Sequence, residues 1–188
     1  VLTFDNVFTY NKNFKRHGLE VMAGSSWTDS DYSNSWINGS HYRNDLIQTL
    51  NAANKIAWDN TGTGASQWGI MSFFGRVAYN FDSKYLLTAN LRADGSSKFP
   101  KNNRWGYFPS ASIAWRMEQE EFLKDVSWLN QLKLRFSYGA TGNQSIDPYT
   151  TFSMYGQGSG EISYADGTGN KTTAMVVTNL SNSSLKWE

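Results

Sequence analysis

The chain contains no cysteine, which excludes a disulfide framework, a thiolate zinc site and a cysteine nucleophile, and leaves the compartment open. Neither sign of charge is in excess: 17 basic and 16 acidic residues leave +1, so no electrostatic footprint for nucleic acid exists and no nucleic-acid partner is expected. No stretch approaches the length of apolar sequence that a transmembrane helix needs, and no basic-then-apolar leader is visible at the start. Helical periodicity is almost missing, and no internal repeat stands out beyond a hairpin spacing. Only 39% of the 188 residues are hydrophobic. A helical bundle would be richer in Ala, Leu, Glu and Lys and poorer in Gly and Thr.

What is there is aromatic. Phe, Tyr and Trp make up 15% of the chain, too many for a disordered segment, and Gly, Ser, Thr and Asn fill much of the rest. That combination describes an all-β protein whose apolar surface is carried largely by rings.

The alternation supports this. In 84–94 the odd positions Tyr85, Leu87, Ala89, Leu91 and Ala93 are apolar, and only Leu86 is apolar among the even ones. In 104–117, Trp105, Tyr107, Pro109, Ala111, Ile113, Trp115 and Met117 share one face. Segments 132–141 and 69–81 repeat the pattern, and 2–10 and 18–27 alternate less cleanly. These strands exceed the soluble average of about 5–6 residues. At ~3.3 Å per residue and a tilt near 45°, Trp105 to Trp115 spans roughly 23 Å along a membrane normal, close to the apolar band of an outer-membrane barrel. Arg76, Arg92, Arg104, Arg116, Lys133 and Arg135 occupy the polar face. They would be costly in a dry sandwich core and are accommodated by a wet lumen.

The connections are asymmetric. Asp82-Ser83 is a two-residue turn and 118–131 is longer, while the opposite end has a short loop near 96–102 and long ones at about 29–66 and 143–184. Short turns on the periplasmic side and long loops outside are the outer-membrane arrangement. The expected fold is therefore an antiparallel transmembrane β-barrel segment of about seven strands, the last beginning at Leu185-Lys186-Trp187-Glu188.

The motif series from Phe73 to Gln144 carries a family resemblance. Phe74-Gly75-Arg76-Val77-Ala78-Tyr79 is followed by Leu91-Arg92-Ala93-Asp94-Gly95-Ser96-Ser97-Lys98-Phe99 and by Asn103-Arg104-Trp105-Gly106-Tyr107-Phe108-Pro109-Ser110. Leu132-Lys133-Leu134-Arg135-Phe136-Ser137-Tyr138-Gly139-Ala140-Thr141-Gly142-Asn143-Gln144 comes after them. In order and spacing this resembles the barrel of SusC/RagA-type TonB-linked outer-membrane transporters. The resemblance implies a 22-stranded barrel with a plug, importing glycans or peptides through the outer membrane of a Gram-negative bacterium. It also implies a SusD-like surface lipoprotein and energy from the TonB–ExbB–ExbD complex. Residues 1–188 are expected to be part of that barrel domain, with the plug domain and the TonB-contacting segment absent.

No cofactor, metal or catalytic residue is expected. Asp94-Gly95-Ser96-Ser97 reads as a hairpin top in which Asp and Ser bond turn backbone and Gly takes a positive φ; its single carboxylate is too few for calcium. Asp29-Ser30-Asp31 is a better cation candidate but reads first as solvated loop, His17 and His41 read as loop residues, and Glu118, Glu120 and Glu121 as a solvated charge cluster rather than an acid–base pair. Trp36, Tyr42 and Trp58, in the long polar loop, are the candidates for stacking on a sugar; the competing reading is that they fold the loop on itself or touch the lid protein. The functional alternative is a secreted soluble β-sandwich binding carbohydrate through exposed aromatics.

Overall fold

The computed structural model describes residues 1–44, 46–47, 49–57, 60–124, 126, 128–157, 163–165 and 171–188. Its centre is one antiparallel sheet of six strands in the order β1-β2-β5-β6-β7-β8. These are β1 (Leu2–Phe14), β2 (His17–Trp36), β5 (Gly62–Phe81), β6 (Tyr85–Ser96), β7 (Trp105–Arg116) and β8 (Lys133–Gly139). Between β2 and β5 lies the small hairpin β3 (Gly39–Tyr42) and β4 (Ala53–Ile56). After β8, β9 (Met154–Gln157) pairs with β12 (Met175–Asn179), and β10 (Ser163–Ala165) pairs with β11 (Lys171–Thr173).

The register is continuous in every pair of the main sheet, from Leu2↔Asp29 to Phe14↔His17, from His17↔Phe81 to Trp36↔Gly62, from Ile70↔Ser96 to Phe81↔Tyr85, and from Tyr85↔Trp115 to Gly95↔Trp105. Register partners lie on the same face of a sheet, so these pairs fix which side chains share a side. One side collects Phe4, Phe8, Trp27, Val21, Phe73, Val77, Leu87, Leu91, Tyr107, Ile113, Phe136 and Tyr138, all largely exposed. Phe136 and Tyr138 retain 70% and 81% of their accessible surface. An apolar face this large is a partner surface. Among the described residues no second sheet covers it, which removes the two-layer packing a sandwich requires. The other side carries Thr3, Asp5, Glu20, Ser72, Arg76, Asn90, Arg92, Asp94, Ser110, Arg116 and Arg135.

Several expectations are corrected. The sheet has six strands, and Leu185–Glu188 joins no ladder; it is held instead by the Asn143 N–H donating to the Glu188 carbonyl at 2.7 Å. The loop expected over 29–66 is ordered hairpin at both ends: β2 and β5 are each 20 residues long, so the ladder continues to Trp36↔Gly62. Asp29-Ser30-Asp31 is accordingly strand. At ~3.3 Å per residue and ~45° tilt, such strands rise roughly 45 Å, about 20 Å beyond a ~25 Å apolar band. The lack of alternation masked this extension, because a strand that projects into water needs no apolar face. The 143–184 segment likewise contains its own small hairpins.

Turn chemistry positions the short end. Asp82 and Ser83 both have positive φ (54° and 55°), the central positions of a type I′ turn closed by the Lys84 N–H on the Phe81 carbonyl at 3.0 Å. Phe81 pairs with Tyr85, however, so the connection is three residues long and not the two expected. Lys15, in the turn between β1 and β2, has φ 55°.

Candidate functional site

The polar face of the sheet is a network rather than a scatter of charges. Arg92 and Asp94 are two apart on β6 and therefore point the same way, and Ser72 is the register partner of Asp94. Arg92 Nε donates to both Asp94 carboxylate oxygens at 2.8 and 2.9 Å, and its Nη2 donates to Ser72 Oγ at 3.0 Å. The guanidinium also lies over the Phe74 ring, 5.7 Å from its centroid. Ser72 and Asp94 are buried, so the carboxylate is stable there only because its cation and hydrogen bonds are supplied. Further along the wall, Arg76 approaches Glu20 at 4.0 Å, Asn90 donates to Ser110 at 3.1 Å and Arg135 to Ser112 at 3.5 Å. A row of donors and acceptors of this kind suits a hydrated surface.

At the outer end, aromatic packing takes over. Phe99, the one buried hydrophobic side chain among the described residues, packs on Trp187 at 5.0 Å between ring centroids, and Phe108 meets Trp187 edge-on at 5.3 Å. Trp187 Nε1 donates to the Arg104 carbonyl at 2.9 Å, and Asn103 Nδ2 to the Leu185 carbonyl at 3.0 Å. Glycine makes the room: a Cβ at Gly106 would stand 2.5 Å from Phe108, and one at Gly142 2.1 Å from the same ring. The Asp94–Ser97 segment is also not the turn that was expected. Asp94 pairs with Arg92, Ser97 Oγ accepts from the Gly69 N–H at 2.9 Å, and Gly95 leaves space for the overlying Trp105 ring instead of taking a positive φ. Beside it, Trp68, Lys98, Arg104, Tyr149 and Phe152 help line a cavity of about 400 Å³. Lys98 Nζ sits 4.9 Å over the Trp68 ring, and the Gln67 N–H donates to the Tyr149 hydroxyl at 2.9 Å.

Of the three aromatic candidates, Trp36 ends β2 and lies over its partner Gly62. Parity along the unbroken register puts it on the polar side of the sheet with Met22, Ser26 and Thr28. Tyr42 ends β3, and its hydroxyl approaches Gly39. Trp58 lies outside the described residues. No ring contact joins Trp36 to Tyr42 among the described residues. The Arg92–Asp94–Ser72 network and the cavity were both missed in the sequence. An Arg and an Asp two apart within an alternating strand was the available signal for the first. The second assembles from segments 82 positions apart and had none.

The short-turn end is tied by charge. Arg16 pairs with Asp82, holding that carboxyl below its usual range through the hydrogen bond. Glu120 accepts from the Tyr85 hydroxyl at 2.8 Å, the Trp115 indole at 3.0 Å and Lys84 Nζ at 3.2 Å, and these three bonds, in that order with the indole second, hold it below its usual range. Burial pushes Glu118 upward, but Arg116 and backbone N–H groups, including that of Leu132, outweigh it. Glu118 and Glu120 are thus built-in clasps, not the solvated cluster expected. His17 is likewise no loop residue: it opens β2, with its Nδ1 2.6 Å from the Tyr79 hydroxyl and its ring stacked on Phe14 at 5.2 Å.

The model of the TonB dependent receptor-like β-barrel family matches residues 2–188. The chain belongs to that family. It is 36% identical over 185 residues to TonB-dependent receptor P39 of Formosa agariphila, covering 98% of this chain and 17% of that protein. It is 41% identical over 120 residues to TonB-dependent receptor SusC of Bacteroides thetaiotaomicron, covering 63% of this chain and 12% of that protein. The solved RagAB peptide transporter superposes with a TM-score of 0.77 at 24% identity, covering 98% of this chain and 20% of the matched chain. The chain thus spans about a fifth or less of the relatives it matches. As a TonB-dependent receptor-like barrel segment, its open sheet has an apolar face suited to lipid and a polar face suited to the lumen.

Proposed function

We propose that this chain is part of the barrel wall of an outer-membrane importer, which takes up glycans or peptides beneath a SusD-like surface lipoprotein and draws energy from the TonB–ExbB–ExbD complex. The observation that carries the reading is the separation of faces. One side of a single sheet is apolar from Phe4 to Tyr138, with aromatics gathered toward both ends, and the other bears Glu20, Arg76, Arg92, Asp94 and Arg135. A lipid-immersed wall with a watery interior requires this division. Family membership supports transport rather than chemistry as the activity. Peptide is the substrate class named for the RagAB structure, and glycan import is carried over from the SusC-type resemblance.

The wall reading has a direct test. The segment has no cysteine of its own, so single replacements at Leu87, Thr88, Ala89, Asn90, Leu91 and Arg92 in the whole transporter can be labelled in membranes. A water-soluble maleimide is expected to reach positions 88, 90 and 92 and to spare 87, 89 and 91. Uniform labelling overturns the reading.

Trp36, Tyr42 and Trp58 are proposed to contact substrate, and the place of Trp36 on the polar side of the sheet supports its part in it. Trp36→Ala is expected to weaken substrate binding in the full transporter. Unchanged affinity removes it from the site and points to the Trp68–Tyr149 cavity, where Trp68→Ala makes the matching measurement.

A further inference from the structure

We propose that the connector from Met117 to Leu132 is a membrane-interface anchor, folded outward over the lipid-facing side of the wall, with Phe122 and Trp128 seated in the headgroup layer of the phospholipid leaflet on the short-turn side. This rests on the reading of the sheet as a barrel wall.

The contacts of Glu120 place it on the outer side. Tyr85 and Trp115 are register partners on the apolar face, and both donate to the same Glu120 oxygen, at 2.8 and 3.0 Å. A carboxylate that accepts from two side chains of that face has to lie on that side of the sheet, so after Glu118 has met Arg116 of the polar face the chain leaving β7 crosses to the outer rim at Glu120. Lys84, 3.2 Å from the other Glu120 oxygen, supplies the counter-charge that a carboxylate needs near a low-dielectric boundary. The connector is fastened a second time where the Met117 N–H donates to the Leu132 carbonyl at 2.8 Å.

Between the fastenings the backbone serves many of its own donors. Glu120, Leu123, Val126 and Leu129 each donate to the carbonyl three residues earlier, at 3.0 to 3.2 Å. Self-satisfied backbone is a condition for resting at a membrane surface. Lys124 and Glu121 on this segment pair with each other. Phe122 and Trp128 nevertheless stay 66% and 81% exposed among the described residues. Tryptophan is suited to the headgroup layer because its ring has an apolar body and an N–H. Next to the connector, Tyr79, Tyr85, Leu87, Ile113, Leu134 and Phe136 line an apolar groove of about 490 Å³ on the same face. An acyl chain whose headgroup meets the connector fills that groove, so the occupant is a phospholipid.

Spin labels test this in the full transporter, reconstituted into phosphatidylethanolamine–phosphatidylglycerol vesicles. Labels at Phe122→Cys and Trp128→Cys are expected to collide with a water-soluble nickel chelate several-fold less than a label at Asn102→Cys, and with oxygen several-fold more. A label at Ile113→Cys reports the deep bilayer. Full nickel access at 122 and 128, with 113 still shielded, overturns the anchor and leaves the barrel reading intact. Nickel access at 113 as well overturns both. Glu120→Ala is expected to return the label at 122 to water while 113 stays shielded and the protein keeps its heat-sensitive gel mobility. The Tyr85→Phe, Trp115→Phe pair removes both donors with little change of apolar surface, and the same release is expected. A label that stays in place in these variants overturns the role given to Glu120.

Discussion

At the short-turn end of the sheet, neighbouring strands and turns are joined by ions and charge-assisted hydrogen bonds: Arg16 to Asp82, Lys84 to Glu120, and the Leu132 N–H to Glu118. At the outer end the same task falls to rings seated on glycine: Trp187 against Phe99 and Phe108, above Gly106 and Gly142. The first kind of joint responds to protonation and tolerates small changes of shape. The second ignores pH and is sensitive to a single added carbon. One sheet therefore has two ends that fail for different reasons, and each kind of perturbation can be aimed at one of them.

The largest effect is expected from Trp187→Ala. Truncating a fully buried Trp costs about 3–5 kcal/mol. Trp187 is half-buried, so about 2 kcal/mol is expected, read as a lower urea midpoint for the heat-modifiable form, together with faster proteolysis in 143–184. Gly142→Ala should come next, at roughly 1–2 kcal/mol, because an added Cβ collides with the Phe108 ring and rigid rings yield poorly. If Gly142→Ala melts with the parent protein, the outer end is looser than a ring-on-glycine joint.

Acid should act on the other end. Asp82, Glu118 and Glu120 all titrate below their ordinary range in the folded protein. A carboxylate depressed by folding contributes stability above the unfolded value of about 4 and loses it as pH falls through the lower folded value. Hydrogen exchange at the Leu123 and Leu132 amides should therefore be unchanged between pH 8 and 5, after correction for intrinsic rates, and should quicken below about pH 4. The Trp187 indole N–H should show no such step. A matching step at Trp187 would mean that the two ends are coupled.

Arg16→Ala is expected to do least. Its side chain is 63% exposed, and solvent screens such a pair. An unfolding midpoint indistinguishable from the parent is the expected outcome, and a clear drop would move this turn among the structural clasps.

Where one residue type met one environment, the sequence was legible. Tyr85 through Ala93 and Trp105 through Trp115 alternate because one side meets an apolar phase, and the structure pairs them as that parity requires. Legibility ended where the environment stopped differing between faces. Asp31 to Trp36 and Gly62 to Ser66 are strand, but neither side of them is continuously apolar, so no alternation marks them. Glu120 misled for another reason. Its three partners come from β6, β7 and the turn between β5 and β6, and a carboxylate next to other carboxylates in sequence reads as solvated until that geometry is known. Trp187 was recognisable as a motif, but its seat between Phe99 and Phe108 depends on contacts across some eighty positions.

The β2–β5 ladder carries one more consequence. It runs through 20 successive partners without a bulge, from His17↔Phe81 to Trp36↔Gly62. Side chains on a strand alternate with a period of two, so a one-residue insertion in either strand that is not absorbed by a bulge turns every residue beyond it to the opposite side. Inserted in β5 near Ile70, it would present Trp68 outward and break the match of faces with β2 beyond Asp29. Changes in the length of this projection are therefore expected in matched steps of two residues per strand. Odd steps need a bulge, and its position would mark where orientation is restored.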